Sequence, residues 1–459
     1  MVEKEIKSLK ESKAARWFAL VVVSFTMLTG YFLTDIMAPL KPLLEQEKAW
    51  SSTEYGLFTS AYGWFNVFLL MLIFGGMILD KMGIRFTGVS SVTLMLLGTF
   101  IKYYAITTDF SPDDLIFGIK TQVFLAAVGY AIFGVGIEIT GITVSKIIVK
   151  WFKGKELALA MGLEMATARL GTLLAMATSL PIAKYFNKVS APLLICLILL
   201  CIGFLSFLVY IVLDKKLDKS LALETTSEKE ESFKFSDIFV IIKNKGFWLI
   251  AILCVLFYSA VFPFLKYAVD LMVNKYNIPE EYAGLIPSLL PLGTLFLTPF
   301  FGNLYDRKGK GATIMILGAF LILIVHLIFS IPYLTHYIYA IIAVILLGIG
   351  FSLVPSAMWP SVPKIIKEQQ LGTAYALIFW IQNWGLMGVP ALIGWILDKF
   401  CIVGNKQING TANTVPIYDY TLPMLTFSLF GLLALLISIW LKFEDKKKNY
   451  GLELPNIKQ

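Results

Sequence analysis

The sequence predicts an all-α membrane protein, with twelve transmembrane helices in two six-helix bundles. Three observations predict it. The 459 residues are 58% hydrophobic and 15% charged, with a mean hydropathy of +0.76; a soluble domain has no need of so much apolar surface. The apolar residues fall in continuous blocks of roughly 20, the length that crosses a bilayer core as a helix, rather than in alternating runs of about 10. A polar stretch, Asp214–Lys245, separates six such blocks from six more. Only helices and closed barrels satisfy every backbone donor and acceptor in lipid, and the block length selects helices.

The expected spans are 17–40, 53–79, 86–107, 121–149, 155–183, 190–213, 247–272, 281–303, 312–331, 336–360, 371–398 and 418–442. Ahead of the first lies a charged segment, Met1–Arg16, which resembles the start of a signal peptide. The apolar run continues to Leu40 without a small-residue cleavage site, so it reads as an uncleaved helix. Phe262-Pro263-Phe264 and Pro287, Pro291 and Pro299 interrupt spans seven and eight, which membrane helices tolerate when other groups satisfy the freed backbone. Such bends help two halves rock, and they also occur without a gating role. The expected domains are an N-terminal bundle at 1–213, a cytoplasmic linker at 214–246, partly helical or disordered, and a C-terminal bundle at 247–459. Asn405–Thr414 reads as a flexible outer loop. Its Asn409-Gly410-Thr411 matches a glycosylation acceptor, which matters only in a secretory pathway.

Loop charges set the expected orientation. Lys81 and Arg85, Lys150, Lys153 and Lys155, Arg307, Lys308 and Lys310, and Lys364 and Lys367 fall on one side. Both termini fall there too, with Lys4, Lys7, Lys10, Lys13 and Arg16 at one end and Lys446–Lys448 at the other. The opposite loops carry Asp109, Asp113, Asp114, Glu280 and Glu281. The positive-inside rule then places both termini in the cytoplasm, and the net charge of +8 marks loops beside a bilayer rather than a nucleic-acid surface. Cys196, Cys201 and Cys254 lie within spans and Cys401 near a span end, so no disulfide framework is expected. His326 and His336 stand apart, and there is no metal-ligand cluster or nucleotide-binding loop; no cofactor, metal or enzyme activity is expected.

Two charges stand out against the apolar background. Glu138 lies in the fourth expected span and Arg169 in the fifth. Thirteen residues separate Glu138 from Trp151, and fifteen separate Gly154 from Arg169. At ~1.5 Å per helical residue, both lie roughly 20 Å from the same membrane surface. That is near the middle of a core roughly 30 Å thick, where an ionisable group is costly and points to function. The alternative is a permanent ion pair that only fixes the helix hairpin; removing one partner of such a pair is strongly destabilising.

The two halves echo each other. Gly76, Asp80, Lys81 and Gly83 at the end of the second span have the same spacing as Gly302, Asp306, Arg307 and Gly309 at the end of the eighth, and a further base follows each set, Arg85 two residues after Gly83 and Lys310 directly after Gly309. Internal repeats of this kind are a transporter signature. The small residue would let neighbouring helices approach closely. The acid would cap a helix start or pair with a base, and so latch one conformation. In the plainer reading Asp80 and Asp306 only close a tight turn.

The twelve spans, the central polar stretch and the doubled motif resemble the major facilitator superfamily. Further segments are similar to a narrower family within it, the lysosomal dipeptide transporters of the domain-containing protein 1 type. These are Trp151–Leu157, Ala168–Gly171, Val261–Phe264, Trp359-Pro360, Gln370–Tyr375 and Gln382–Leu386, with looser echoes at Asp35 and Tyr62–Asn66. The resemblance runs from the first span to the eleventh. It implies two bundles rocking about a midplane cavity, transport without a driving ion, and Glu138 and Arg169 binding the two ends of a dipeptide. The lysosomal setting does not carry over. The short loops fit a bacterial protein equally well; the expected setting is a bacterial inner membrane, or a lysosome-type organelle if the chain is eukaryotic.

The chemistry suits that cargo. A dipeptide is a zwitterion, and buried charges must be paired. The planar guanidinium of Arg169 can grip a carboxylate bidentately, and Glu138 can accept from an ammonium. Tyr62, Trp64, Asn66, Tyr258, Trp359, Gln382 and Asn383 lie on helices expected to line the cavity. Aromatic rings there would hold side chains and amides the peptide unit, although Trp64 and Trp359 equally suit interhelical packing. Glu164 reads as a partner for Lys146 ahead of a second cavity acid. Asp35 and Lys266, near the outer ends of the first helix of each half, form an outer gate or ion pair, or snorkel to headgroups. His326 reads as a packing residue. The expected protein is a monomeric small-peptide transporter whose partners are a dipeptide and the lipid bilayer, with no nucleic acid; an accessory subunit is not legible. Its rivals are a proton-coupled transporter of an organic anion or sugar and a non-transporting receptor.

Overall fold

The computed structural model describes residues 9–111, 113–152, 155–221, 235–367, 370–407 and 414–456. Helices dominate. The first half contains α1 (Lys13–Asp35), α2 (Lys41–Lys48), α3 (Ser52–Ser60), α4 (Trp64–Phe68), α5 (Met71–Thr107), α6 (Thr121–Phe152), α7 (Leu157–Tyr185) and α8 (Ala191–Leu221). The second contains α9 (Phe235–Ile241), α10 (Lys245–Tyr276), α11 (Glu280–Ala283), α12 (Leu285–Lys308), α13 (Gly311–Ser330), α14 (Tyr337–Ile365), α15 (Leu371–Phe400) and α16 (Thr421–Lys448). Two antiparallel hairpins, β1 (Leu115–Ile116) with β2 (Ile119–Lys120) and β3 (Ile402–Gln407) with β4 (Thr414–Tyr418), join helices outside the bundles.

Among the described residues, 11 helices are long and apolar enough to cross a membrane. The twelfth crossing is hidden in α5. At Gly83 the backbone leaves the helical region with φ +77°, a conformation that suits glycine. Gly75, before that point, lies against Ile139 of α6, and Ser91, after it, accepts from the Thr140 hydroxyl at 2.9 Å. Positions on either side of Gly83 thus reach the same level of α6, so the chain reverses there. The equivalent glycine of the second half, Gly309, has φ +68° between α12 and α13.

The expected spans need two corrections. The first helix ends at Asp35 rather than Leu40, because Pro39 and Pro42 disfavour helix in the residues before them; Pro42 instead opens α2. The second span is not one helix. After α3, capped by Ser51 and Glu54, it passes through a 3-10 turn at Ala61–Gly63, and after α4 it breaks at Leu70 with φ +53°. Trp380 donates to the Val67 carbonyl at 3.1 Å, which helps satisfy the interrupted backbone. The polar linker is partly helical, since α8 runs on to Leu221 and α9 forms within it. The outer stretch at 405–414 begins and ends in a hairpin, while the glycosylation match at 409–411 lies outside the described residues.

Lipid supplies no apolar driving force between helices, so close approach relies on small residues. Two such approaches build the site. A Cβ on Gly134 would lie 2.2 Å from the Tyr62 carbonyl oxygen, and one on Gly171 2.3 Å from that of Leu28. The first seats Tyr62 one helical turn from Glu138. The second presses α7 onto α1 beside Arg169.

Candidate functional site

A cavity of about 350 Å³ lies between the halves. Tyr31, Tyr62, Glu138, Glu164 and Arg169 line it from the first half, and Tyr258, Phe262, Trp359, Phe379 and Gln382 from the second. Glu138 and Arg169 are both half-buried on its wall. Among the described residues no ion pair joins them. The Tyr62 hydroxyl donates to Glu138 Oε1 at 2.7 Å. The Arg169 guanidinium carbon stands 5.8 Å from the Tyr31 ring, 5.6 Å from Phe262 and 5.4 Å from Phe351. Cation–π contact with rings of both halves steadies the guanidinium while leaving its N–H donors available. The hairpin-fixing ion pair is therefore absent.

The remaining expected residues divide. Trp359 donates from its indole to the Tyr258 hydroxyl at 3.1 Å, and both belong to the wall. Gln382 also lines the cavity, its Oε1 3.7 Å from Cys254 Sγ. Trp64, Asn66 and Asn383 are not on the wall. Trp64 packs toward Ala61, Ala127 and Ala131 and donates to Ser60 Oγ at 3.1 Å. Asn66 donates to the Gly134 carbonyl at 3.4 Å, and Asn383 to Phe379 O at 3.0 Å. Helix rotation decides this: both amides are buried, Asn66 against Gly134 of α6 and Asn383 where its backbone meets Gly63 of the 3-10 turn. The expected Glu164–Lys146 pairing is also corrected. Lys146 meets Asp80 at 2.9 Å, and Glu164 faces the cavity. His326 is fully buried, with Nε2 2.8 Å from Ala260 O and its ring stacked on Phe427.

The side bearing the chain termini and the far side differ. Asp35 and Lys266 form an ion pair of 2.7 Å toward the far side, and Lys266 also donates to Thr34 O at 2.7 Å. Tyr55 donates to Lys266 O at 2.9 Å. Further out, buried Lys41 lies 2.6 Å from Glu45 and 2.8 Å from Asp270 of the other half, and Tyr420 donates to Asp270. Burial pushes the Glu45 carboxyl up to about 7, against the pull of Lys41 and with the repulsion of Asp270. Ser52 and Thr53 backbone amides donate to Asp398 at 3.1 and 2.5 Å. Among the described residues, the side-chain hydrogen bonds and ion pairs that join the halves all lie toward the far side or near mid-membrane.

The doubled motif lies on the terminal side. Asp80 pairs with Lys146 of α6 rather than with a base of its own loop. Arg85 meets Asp214 at 2.6 Å and also contacts Asp218. In the second half the C-terminal tail intervenes. Asn456 donates to Asp306 at 2.7 Å, while Lys364 donates to the carbonyls of Gly451 and Leu454 at 3.1 and 2.8 Å. Arg307 is exposed. The expected close helix approach at Gly76 and Gly302 is not present: a Cβ at either would meet nothing within 4 Å. The halves are joined on the other side, which leaves both glycines open.

The sequence reading missed Tyr31, Phe351 and Phe379, which look like any aromatic in an apolar run. It also missed Asp270, although an acid inside an expected span was the available signal. Lys41 and Glu45, four residues apart, had the spacing of a helical ion pair.

Two bundles around a charged cavity at mid-membrane define a membrane carrier. The profile of the Major Facilitator Superfamily matches residues 20–390, and the chain belongs to that superfamily. Among curated proteins it is 29% identical to the human lysosomal dipeptide transporter MFSD1 over 403 residues, covering 84% of this chain and 81% of that protein. It is 30% identical to the mouse protein of the same name, again over 403 residues, with coverage of 84% and 81%. Among solved structures, the nucleoside transporter NupG superposes with a TM-score of 0.67 at 13% identity, covering 93% of this chain and 99% of that one. A bacterial homologue of the human lysosomal transporter Spinster, solved in an inward-facing and occupied conformation, gives a TM-score of 0.66 at 11% identity, with coverage of 95% and 98%. These two likenesses carry the fold alone.

Proposed function

We propose that the chain moves dipeptides across a membrane by alternating access, as a facilitator. One observation carries this reading: Glu138 and Arg169 face one cavity, each held by neighbours and neither neutralised by the other. Arg169 would take the peptide carboxylate and Glu138 its ammonium, with Tyr62 keeping Glu138 oriented. Tyr258, Phe262 and Trp359 would bound the side chains, and Gln382 would reach the peptide unit. The names of the curated relatives support this class of cargo.

Residues 1–213 and 247–459 are proposed as the two moving bodies, with 214–246 as their linker. By the loop charges, the terminal side is cytoplasmic. The bonds at Asp35, Lys266, Lys41 and Asp270 then close the outer side, and the conformation is open inward. Gly76 and Gly302, free in this state, leave room for helices to close on the cytoplasmic side, with Asp80, Arg85, Asp306 and Arg307 as latch residues. The membrane is proposed to be a bacterial inner membrane, or that of a lysosome-type organelle if the chain is eukaryotic. A second reading, proton-coupled transport, rests on Glu164, a cavity carboxyl that forms no salt bridge among the described residues.

The test is a thermal shift of the purified protein with free-ended, N-acetylated and C-amidated dipeptides, beside Arg169→Ala and Glu138→Gln. A ligand that binds only the native state stabilises it. Stabilisation by free-ended dipeptides, lost on capping either end and in either folded variant, is expected. No shift with any dipeptide would remove the cargo assignment. In proteoliposomes, a proton gradient that concentrates substrate would replace the facilitator reading with the second one.

A further inference from the structure

A cleft of about 570 Å³ lies on the terminal side, between the start of α10 and the end of α16. Lys243, Lys245, Lys447 and Lys448 line it with Glu444 and Tyr450. Lys245 is committed to Glu444 at 2.8 Å. The next acid, Asp445, is buried and accepts from the Leu452 amide at 3.0 Å, so it does not neutralise the cleft. Lys243, Lys447 and Lys448 are exposed, and among the described residues no carboxylate pairs with them. Glu444 is the one carboxylate lining the cleft and attracts Lys447 and Lys448 as well as Lys245, but one negative charge against four ammonium groups leaves an excess of positive charge that favours an entering anion.

The surroundings belong to a membrane interface. The Lys245 ammonium stands 5.0 Å from the ring of exposed Trp440, and Trp248 is exposed nearby on α10. Tryptophans at helix ends mark the headgroup level. Phe239 and Val240 of α9 and Ile242 just beyond it are also exposed, giving the cleft an apolar rim. The ring of Tyr450 reaches the α10 backbone, where a Cβ on Gly246 would lie 3.0 Å from it.

We propose that this cleft binds the anionic headgroup of a membrane phospholipid. The phosphate would lie among Lys243, Lys447 and Lys448, with the acyl chains along Trp440 and the exposed residues of α9. Basic clusters beside a transmembrane helix recognise anionic lipid in this way. A bound lipid would tie the segment joining the halves to the last helix. The assignment does not depend on the cargo.

The test uses the full chain in neutral detergent, with dioctanoyl phosphatidylglycerol, dioctanoyl phosphatidylcholine and inorganic phosphate as probes. Thermal midpoints and native mass spectrometry report binding. Phosphatidylglycerol alone is expected to stabilise the protein and remain bound. A Lys243→Gln/Lys447→Gln/Lys448→Gln variant should bind it on the order of a hundredfold more weakly, and Lys447→Glu alone about tenfold. Lys308→Gln/Lys367→Gln, on the same side but outside the cleft, should bind like the parent. Equal stabilisation by phosphatidylcholine would overturn the proposal. So would reproduction of the whole shift by phosphate, which would make this a free-anion site, or unchanged phosphatidylglycerol binding in the triple variant.

Discussion

Glu138 and Arg169 line the same cavity without an ion pair between them, and each has its own support: a phenol hydroxyl at 2.7 Å for the acid and three aromatic rings for the base. Two opposite charges held apart are a poor structural device, because their mutual attraction is unused. They suit a guest that carries both complementary charges. Such a guest exchanges solvent for protein partners at each end, which permits both entry and release.

Tyr62→Phe tests the support of the acid. A hydrogen bond to a charged group contributes about 1.5–3 kcal/mol. Dipeptide affinity measured by calorimetry should fall by roughly ten- to a hundredfold, with the protein still folded. An unchanged affinity would mean that packing alone orients Glu138.

Lys266→Met tests the far-side closure. Its ammonium meets Asp35 at 2.7 Å with both side chains mostly buried, and removing one partner of such a pair costs about 3–5 kcal/mol. Spin labels at Lys48 and Lys399, on opposite halves, should report a larger far-side separation in the variant. The same distance distribution in parent and variant would reduce the pair to a local contact.

Acidity should strengthen the outermost contact. The Glu45 carboxyl is raised to about 7 by burial and by Asp270, whereas an opened cluster would restore its ordinary value of 4.5. The closed form therefore binds the extra proton. Its advantage is complete below about 4.5, declines as pH rises through about 7, and is gone above it. The same labels should show the far side opening as pH rises from 5 to 8, and Glu45→Gln should abolish that dependence. A pH response that survives in Glu45→Gln would assign it elsewhere.

Lys102 is fully buried, and among the described residues its ammonium has no hydrogen-bond partner; it faces the Tyr130 ring at 4.7 Å and Phe133 at 5.6 Å. An unpaired buried cation is costly, so Lys102→Met should leave the thermal midpoint unchanged or raise it. A drop of several degrees would reveal a partner formed in the folded state.

The tail supports the second half. Lys310 and Gly311 amides donate to the carbonyls of Glu453 and Leu452 at 2.9 Å each, and the Thr313 amide donates to the Glu453 carboxylate at 2.9 Å. Glu453 thereby caps α13. Truncation after Asn449 removes that cap, worth about 1 kcal/mol, together with the buried Leu452 side chain. The thermal midpoint should fall by several degrees, and Glu453→Gln should reproduce only part of it.

Much of this molecule was determined by one-dimensional pattern. Block length sets where a helix can cross lipid, and charge placement along a helix sets depth, so Glu138 and Arg169 could be matched before any packing was known. The doubled motif was legible as a repeat, and the second glycine of each copy, Gly83 and Gly309, stands where the chain reverses. Only tertiary structure decided which face each helix presents. That placed Tyr31, Phe351 and Glu164 at the site and turned Trp64, Asn66 and Asn383 away from it. It also paired Lys146 with Asp80 and Lys41 with Asp270. The physical reason is that an all-round apolar helix carries little amphipathic signal. Its rotation, and hence its partners, is set by where small residues let neighbouring backbones approach, and those neighbours lie far away in the chain.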